Sequence, residues 1–135
     1  MSLDKALSEA MGSIPECLAS AYIDIASGFL LEVRTVDSQP QAVIDMVAAA
    51  TADMFQGPNV TLIENHFKAA RGVDPKSSPH YFQEMLVFSD NLLHVFMRTK
   101  KYPDHVVCFV CRKSANIGMV LAKSRMVVES LAEQV

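Results

Sequence analysis

His105-Val106-Val107-Cys108-Phe109-Val110-Cys111 is the stretch that decides the fold. It is rich in β-branched and aromatic residues and apolar at both alternating sets of positions, which marks a strand covered on both faces. After Arg112-Lys113, Ser114 is placed to cap a helix that runs to about Glu133. On a helical wheel Ile117, Val120, Leu121, Ser124, Val127, Val128 and Leu131 share one side, and Lys123, Arg125, Glu129 and Glu133 fall mostly away from it. The C-terminal third therefore reads as a strand in the middle of a sheet, followed by a helix that folds back over one face.

Outward from that strand the same periodicities recur. Tyr81 to Phe88 and Asn91 to Thr99 read as a hairpin turning at Ser89-Asp90-Asn91, with Leu93, Val95 and Met97 alternating with His94, Phe96 and Arg98. Lys100 to Asp104 is the polar turn into the central strand. At the other end, Asp4 to Ser13 reads as a short helix with Leu3, Leu7, Ala10 and Met11 on its apolar side, stopped by Gly12 and Pro15. Cys17 to Ile25 switches to a period of two, Ala19, Ala21, Ile23 and Ile25 opposing Leu18, Ser20, Tyr22 and Asp24. Ala26-Ser27-Gly28 turns the chain, with Gly28 free to take positive φ. Phe29 to Val36 then pairs back, placing Phe29, Leu31 and Val33 opposite Glu32 and Arg34. The pair is predicted to have one core face and one wetter face.

Asp37-Ser38-Gln39-Pro40 opens a helix that runs to Gln56, with Asp37 or Ser38 as cap and Pro40 in its first turn. This helix carries two apolar rows. Val43, Met46, Val47, Ala50 and Met54 make one; Ile44, Ala48, Thr51 and Phe55 make the other, about 100° further round. One row can bury against the sheet, and the second then needs another cover, a further helix or a partner subunit. Pro58 to Arg71, after the break at Gly57 and ended by Gly72, is a candidate cover, with Val60, Ile63, Phe67 and Ala70 as its buried side. Val73 to His80 is a loop. The whole is a single α/β (α+β) domain over residues 1–135, with residues 57–80 as a helical insert.

Composition narrows the function. A chain of 135 residues, half apolar and one fifth charged, buries a real core and is not disordered. A net charge of −3 argues against nucleic acid as partner. Three cysteines without a secretory leader fit a reducing, cytoplasmic setting. No apolar run approaches the roughly 20 residues that membrane insertion requires.

Candidate chemical groups do not assemble. Cys108 and Cys111 have a C-x-x-C spacing, but residues three apart on a strand point to opposite faces and cannot share a metal; they are read as core cysteines. Cys17 is more accessible, yet has no basic neighbour in sequence to activate it. His66, His80, His94 and His105 show no ligand spacing, and the five glycines are isolated, so there is no phosphate loop. The chain is expected to hold no metal, nucleotide or other cofactor and to have no catalytic residues. Arg98, Lys100 and Lys101, with Arg112 and Lys113, are read as flanking one end of the central strands, where they keep hairpin ends solvated or recognise an acidic partner or phosphate groups. Met119 and Met126 lie on the outer side of the last helix as a candidate partner surface.

Two short stretches carry a family resemblance. Ala21-Tyr22-Ile23-Asp24 followed by Gly28-Phe29-Leu30-Leu31, and Asn116-Ile117-Gly118-Met119-Val120 at the start of the last helix, resemble the first hairpin and last helix of the Roadblock, or dynein light chain, family. The resemblance implies a profilin-like fold, a five-stranded antiparallel sheet of order 2-1-5-4-3 with helices packed on it. It also implies a non-enzymatic dimeric scaffold or regulatory adaptor that serves small GTPases, motor complexes or polarity systems. In this chain the expected homodimer interface is Ile44, Ala48, Thr51 and Phe55, extended by Tyr81, Gln83, Met85 and Val87. The alternative reading is a small-molecule sensor of profilin-like or PAS-like type, with its ligand held between sheet and helix.

Overall fold

In the computed structural model, which describes residues 2–37, 41–76 and 80–135, His105–Arg112 is the central strand. The proposed cap Ser38 and the first-turn Pro40 lie outside the described residues. In chain order the elements are α1 (Leu3–Ser13), β1 (Cys17–Asp24), β2 (Phe29–Thr35), α2 (Gln41–Gln56), α3 (Pro58–Ala70), β3 (Glu84–Phe88), β4 (Leu92–Arg98), β5 (His105–Arg112) and α4 (Ile117–Ala132). The strands form one antiparallel sheet of order β2-β1-β5-β4-β3, as the resemblance implied.

The doubly apolar character of β5 now has its cause, since a separate core lies on each face. On one, Tyr22, Leu93, Val95, Met97, Val107, Phe109 and Cys111 meet Leu7 and Ala10 of α1 and Val120, Val128 and Leu131 of α4. On the other, Ala21, Ile23, Phe96, Val106 and Cys108 meet Ala48 and Phe55 of α2. Cys108 and Cys111 thus fall in opposite cores, as their spacing on a strand dictates. β1 is covered on both sides in the same way, rather than on one.

Three local readings are corrected. The β1–β2 register shifts between Tyr22 and Ile23, so that Ile23 faces Leu30 while Tyr22 faces Glu32. This bulge adds a residue on β2 and turns Leu30, with Val33, into the α2-side core; Phe29 and Leu31 are left exposed. The cap of α4 is Asn116, whose Oδ1 accepts the Met119 N–H at 3.0 Å, whereas Ser114 Oγ donates to Glu16 Oε1 at 2.9 Å. The buried line of α4 runs through Val120, Ser124, Val128 and Leu131, and Ile117, its first residue, stays exposed.

α2 and α3 meet at a corner of one residue. Gly57 donates its N–H to Asp53 O at 2.9 Å and serves as the N-cap position of α3, followed by Pro58 in the first turn. A Cβ on Gly57 would lie 2.7 Å from the Asp53 carbonyl oxygen. Gly57→Ala is therefore expected to cost about 1–3 kcal/mol, because backbone rather than a flexible side chain must move. A lowered urea midpoint with unchanged slope checks this. The far end of α3 closes on Gly72 at φ +72, with Val73 N–H bonded back to Lys68 O at 2.9 Å.

Candidate interaction surface

Helices cover the two faces of the sheet unequally. α1 and α4 share one face, whereas on the other α2 packs on β1 and β2. Its C-terminal Phe55 reaches β4, with its ring 6.4 Å from that of Phe96. Beyond that point β4 and β3 have little cover. Met85 and Val87 lie beside Phe96 and His94 on this face; Met85 and His94 are half-buried and Val87 is exposed. β3 is also an edge strand, with no strand on its outer side among the described residues.

The direction of the free backbone groups on β3 follows from one hydrogen bond. Arg98 N–H donates to Gln83 O at 2.8 Å, so Met85/Phe96 and Val87/His94 are the hydrogen-bonded pairs. Glu84, Leu86 and Phe88 consequently aim their N–H groups outward. Leu86 and Phe88 are exposed, and Glu84 is held from behind by Arg125 of α4 through two bonds, 2.9 Å and 2.7 Å. That guanidinium keeps the Glu84 carboxyl below its usual range. The edge is thus anchored to the fold yet open to a further strand.

The two rows of α2 are exchanged relative to the sequence expectation. Ala48, Thr51 and Phe55 are each 1% exposed and face the chain's own sheet, so they are not available to a second copy; Ile44 is half-buried. Small Ala48 and Thr51 let the helix approach closely, and the Thr51 hydroxyl is satisfied by donating to Val47 O at 2.8 Å. The outward row is Met46, 62% exposed, Val47, 43% exposed, and Ala50. Tyr81 and Gln83 are exposed but precede the strand, which begins at Glu84.

Between the N-terminal half of α2 and the sheet lies a cavity of about 460 Å³, walled by Val33, Ile44, Val47 and Val110 with Ala19 and Ala21 beneath. Its polar lining residues are Ser20, Thr35, Asp37, Asn91 and His94. Thr35 on β2 and Asn91 before β4 are separated by three strand spacings, about 14 Å. His94 stacks on Phe96 at 6.4 Å, and burial pushes its pKa below the ordinary value, leaving it neutral near pH 7.

The insert behaves differently from its apolar pattern. Ile63, Phe67 and Ala70 are exposed, together with Leu62, and the inner side of α3 instead carries Glu64 and Lys68, 5% and 3% exposed. Glu64 Oε2 accepts the Tyr81 N–H at 2.7 Å and Oε1 takes His80 Nδ1 at 3.0 Å, with Lys68 Nζ at 3.6 Å. Lys68 also reaches Pro75 O at 3.4 Å. Burial alone would raise the Glu64 pKa, but these donors outweigh it and hold the carboxyl below its ordinary value. Nearby, Arg98 is buried, donating from Nε to Phe82 O at 3.0 Å and from Nη1 to Pro103 O at 2.6 Å. The insert is thus tied down by buried charge and leaves Leu62, Ile63 and Phe67 exposed among polar residues.

The other candidates separate. Arg98, Lys100 and Lys101 lie at the end of the sheet opposite Arg112 and Lys113, because β4 and β5 run antiparallel; they form no single basic end. His105 Nδ1 is bonded to the Tyr22 hydroxyl at 2.7 Å, and His66 lies on the exposed side of α3. Among the described residues no group of three or more His, Cys, Asp or Glu is placed to hold a metal ion. Met119 and Met126 are exposed on α4. One juxtaposition was missed in sequence: Cys17 and Cys111 face each other across β1 and β5.

No family model matches the sequence, and no curated protein matches it. Solved structures do match the fold. A structure titled "MglB with tetrameric arrangement" superposes with a TM-score of 0.71 at 16% identity, covering 96% of this chain and 85% of that one. A Roadblock/LC7 domain from Streptomyces avermitilis gives 0.69 at 16% identity, covering 98% and 97%. MglC from Myxococcus xanthus gives 0.62 at 14% identity over the full length of both chains. The fold is Roadblock-like.

Proposed function

We propose that this chain is a non-enzymatic scaffold or regulatory adaptor that works as a homodimer and engages a protein partner in the cytoplasm. A small GTPase, or a motor or polarity complex, is the partner class that the family resemblance implies. The observation that carries the reading is the open half of the sheet. β3 offers outward N–H groups along an unpaired edge, and beside it the β3–β4 surface and the outer row of α2 expose apolar side chains. A two-fold axis beside β3 pairs that edge with its copy and brings each chain's outer α2 row toward the other. At about 25 cal/mol per Å², a few hundred Å² of this surface contributes several kcal/mol. That one structural neighbour is described in a tetrameric arrangement supports assembly through such a fold. The exposed methionines of α4, Met119 and Met126, are proposed for the partner. Among the described residues no helix is long and apolar enough to cross a membrane.

The sensor reading rests on the cavity of about 460 Å³. Its mainly apolar lining favours apolar side chains of a second copy over a small polar ligand. Light scattering decides: the wild type is expected to be a dimer. Met46→Glu with Val47→Glu, and separately Leu86→Pro, which removes an outward donor and leaves the β4 ladder intact, are expected to give monomers with unchanged far-UV circular dichroism. A monomeric wild type, or a dimer indifferent to both changes, would sink the interface.

A further inference from the structure

The thiols that pair in space are not the two that are close in sequence. Cys108 faces the α2-side core, 2% exposed, and its thiol is pushed up to about 12 by burial. Cys17 and Cys111 are register partners on β1 and β5. Arg112 N–H donates to Glu16 O at 3.1 Å, which makes Glu16/Arg112 a hydrogen-bonded position and Cys17/Cys111 the non-hydrogen-bonded pair that follows it. In that kind of pair the Cα atoms stand about 4.5 Å apart and the side chains lean together. A disulfide needs a Cα separation of roughly 4.4–6.8 Å. A pair of this kind falls within that range, and this one sits beside the register shift between Cys17 and Ala19.

The two sulfurs are not equivalent. Cys17 is partly buried at the start of β1, packed against the core, and Cys111 is fully buried beneath it. Cys17 Sγ donates to Ala19 O at 3.3 Å, and the neighbouring Cys111 thiol helps hold the Cys17 pKa below its ordinary value while that of Cys111 is raised. Glu16, at φ +52, holds the approach: its carbonyl takes the Arg112 N–H and its carboxylate takes the Ser114 hydroxyl at 2.9 Å.

We propose that Cys17 and Cys111 form a peroxide-responsive thiol pair, in which Cys17 meets the oxidant and Cys111 resolves it to a disulfide. The Cys17 thiolate attacks hydrogen peroxide; an S–O bond forms, the O–O bond breaks, and the departing hydroxide takes up a proton as water. Cys111 then attacks the Cys17 sulfenic acid. The S–S bond forms, the S–O bond breaks, and the second hydroxide leaves as water with the proton from Cys111. The peroxide gains two electrons and the two thiols are oxidised. The product staples the start of β1 to the end of β5, between the exit of α1 and the entry to α4.

Hydrogen peroxide added to the fully reduced, folded protein tests this by peptide mapping under non-reducing conditions. Two of the three thiols are expected to disappear, with a Cys17–Cys111 crosslinked peptide lighter by two hydrogens, Cys108 still free, and reversal by dithiothreitol. Cys111→Ala is expected to leave Cys17 as a sulfenic acid that dimedone traps, and Cys17→Ser to protect Cys111 from the oxidant. Wild-type protein that accumulates Cys17 sulfinic acid beside an intact Cys111 thiol overturns the proposal. So does survival of all three thiols at a peroxide dose that oxidises free glutathione. Both results are read on the wild type and do not depend on whether a variant folds.

Discussion

Replacing Glu64 with alanine is expected to cost about 3–5 kcal/mol, the range for removing one member of a buried charged pair. The carboxylate is 5% exposed and accepts from Tyr81 N–H and His80 Nδ1 while lying beside Lys68 Nζ. Its loss leaves a buried ammonium without its anion and a backbone donor without its acceptor. Those bonds are the buried part of the insert's attachment, beside the exposed contact of the Phe67 ring with Tyr81 at 5.1 Å. The pH dependence has a definite sign. The folded pKa of Glu64 lies below the unfolded value. Its contribution is thus fully present above about pH 4.3, the unperturbed glutamate value, and is lost as pH falls through the lower folded value. Glu64→Gln keeps an acceptor but removes the charge, so its stability is expected to be flatter through that acid range. Urea unfolding at pH 7 and again below pH 4 measures both effects. A loss under about 1 kcal/mol for Glu64→Ala would place the carboxylate in water, where an exposed ion pair counts for little.

Parts of this architecture were legible in the sequence for physical reasons, and others were not. The central position of β5 followed from apolar residues on both alternating faces, and the divergence of Cys108 and Cys111 followed from the same period. Both are properties of one strand. The bulge opposite Tyr22 was invisible, because it depends on how two strands slip against each other, and it moved Leu30 inward and Leu31 outward. Glu64 and Lys68 have the spacing of an ordinary surface ion pair on a helix. Their burial comes from Pro75, His80 and Tyr81 lying against α3, which no local pattern records. The Cys17–Cys111 pair depends likewise on long-range register. On α2 the wheel showed two apolar rows with nothing local to rank them. The sheet chose the row with small residues at Ala48 and Thr51, since close approach needs them, and the bulkier Met46 and Val47 were left outside.

That choice sets the last expected result. Phe55→Ala should destabilise the chain by about 3–5 kcal/mol, as removal of a buried aromatic ring does. The ring is 1% exposed, lies against Phe96 at 6.4 Å, and carries the Arg98 guanidinium 5.2 Å from its centroid. Arg98 has already surrendered its hydration, with Nη2 lacking a hydrogen-bond partner among the described residues, so the ring face is part of what makes its burial tolerable. Met46→Glu, on the opposite side of the same helix, should change monomer stability by no more than about 0.5 kcal/mol. It should act instead on self-association. Unfolding both variants at low protein concentration separates the two roles. If Phe55→Ala were mild and Met46→Glu unfolded the monomer, α2 would be turned by about 100°, and the proposed outer row would be the core.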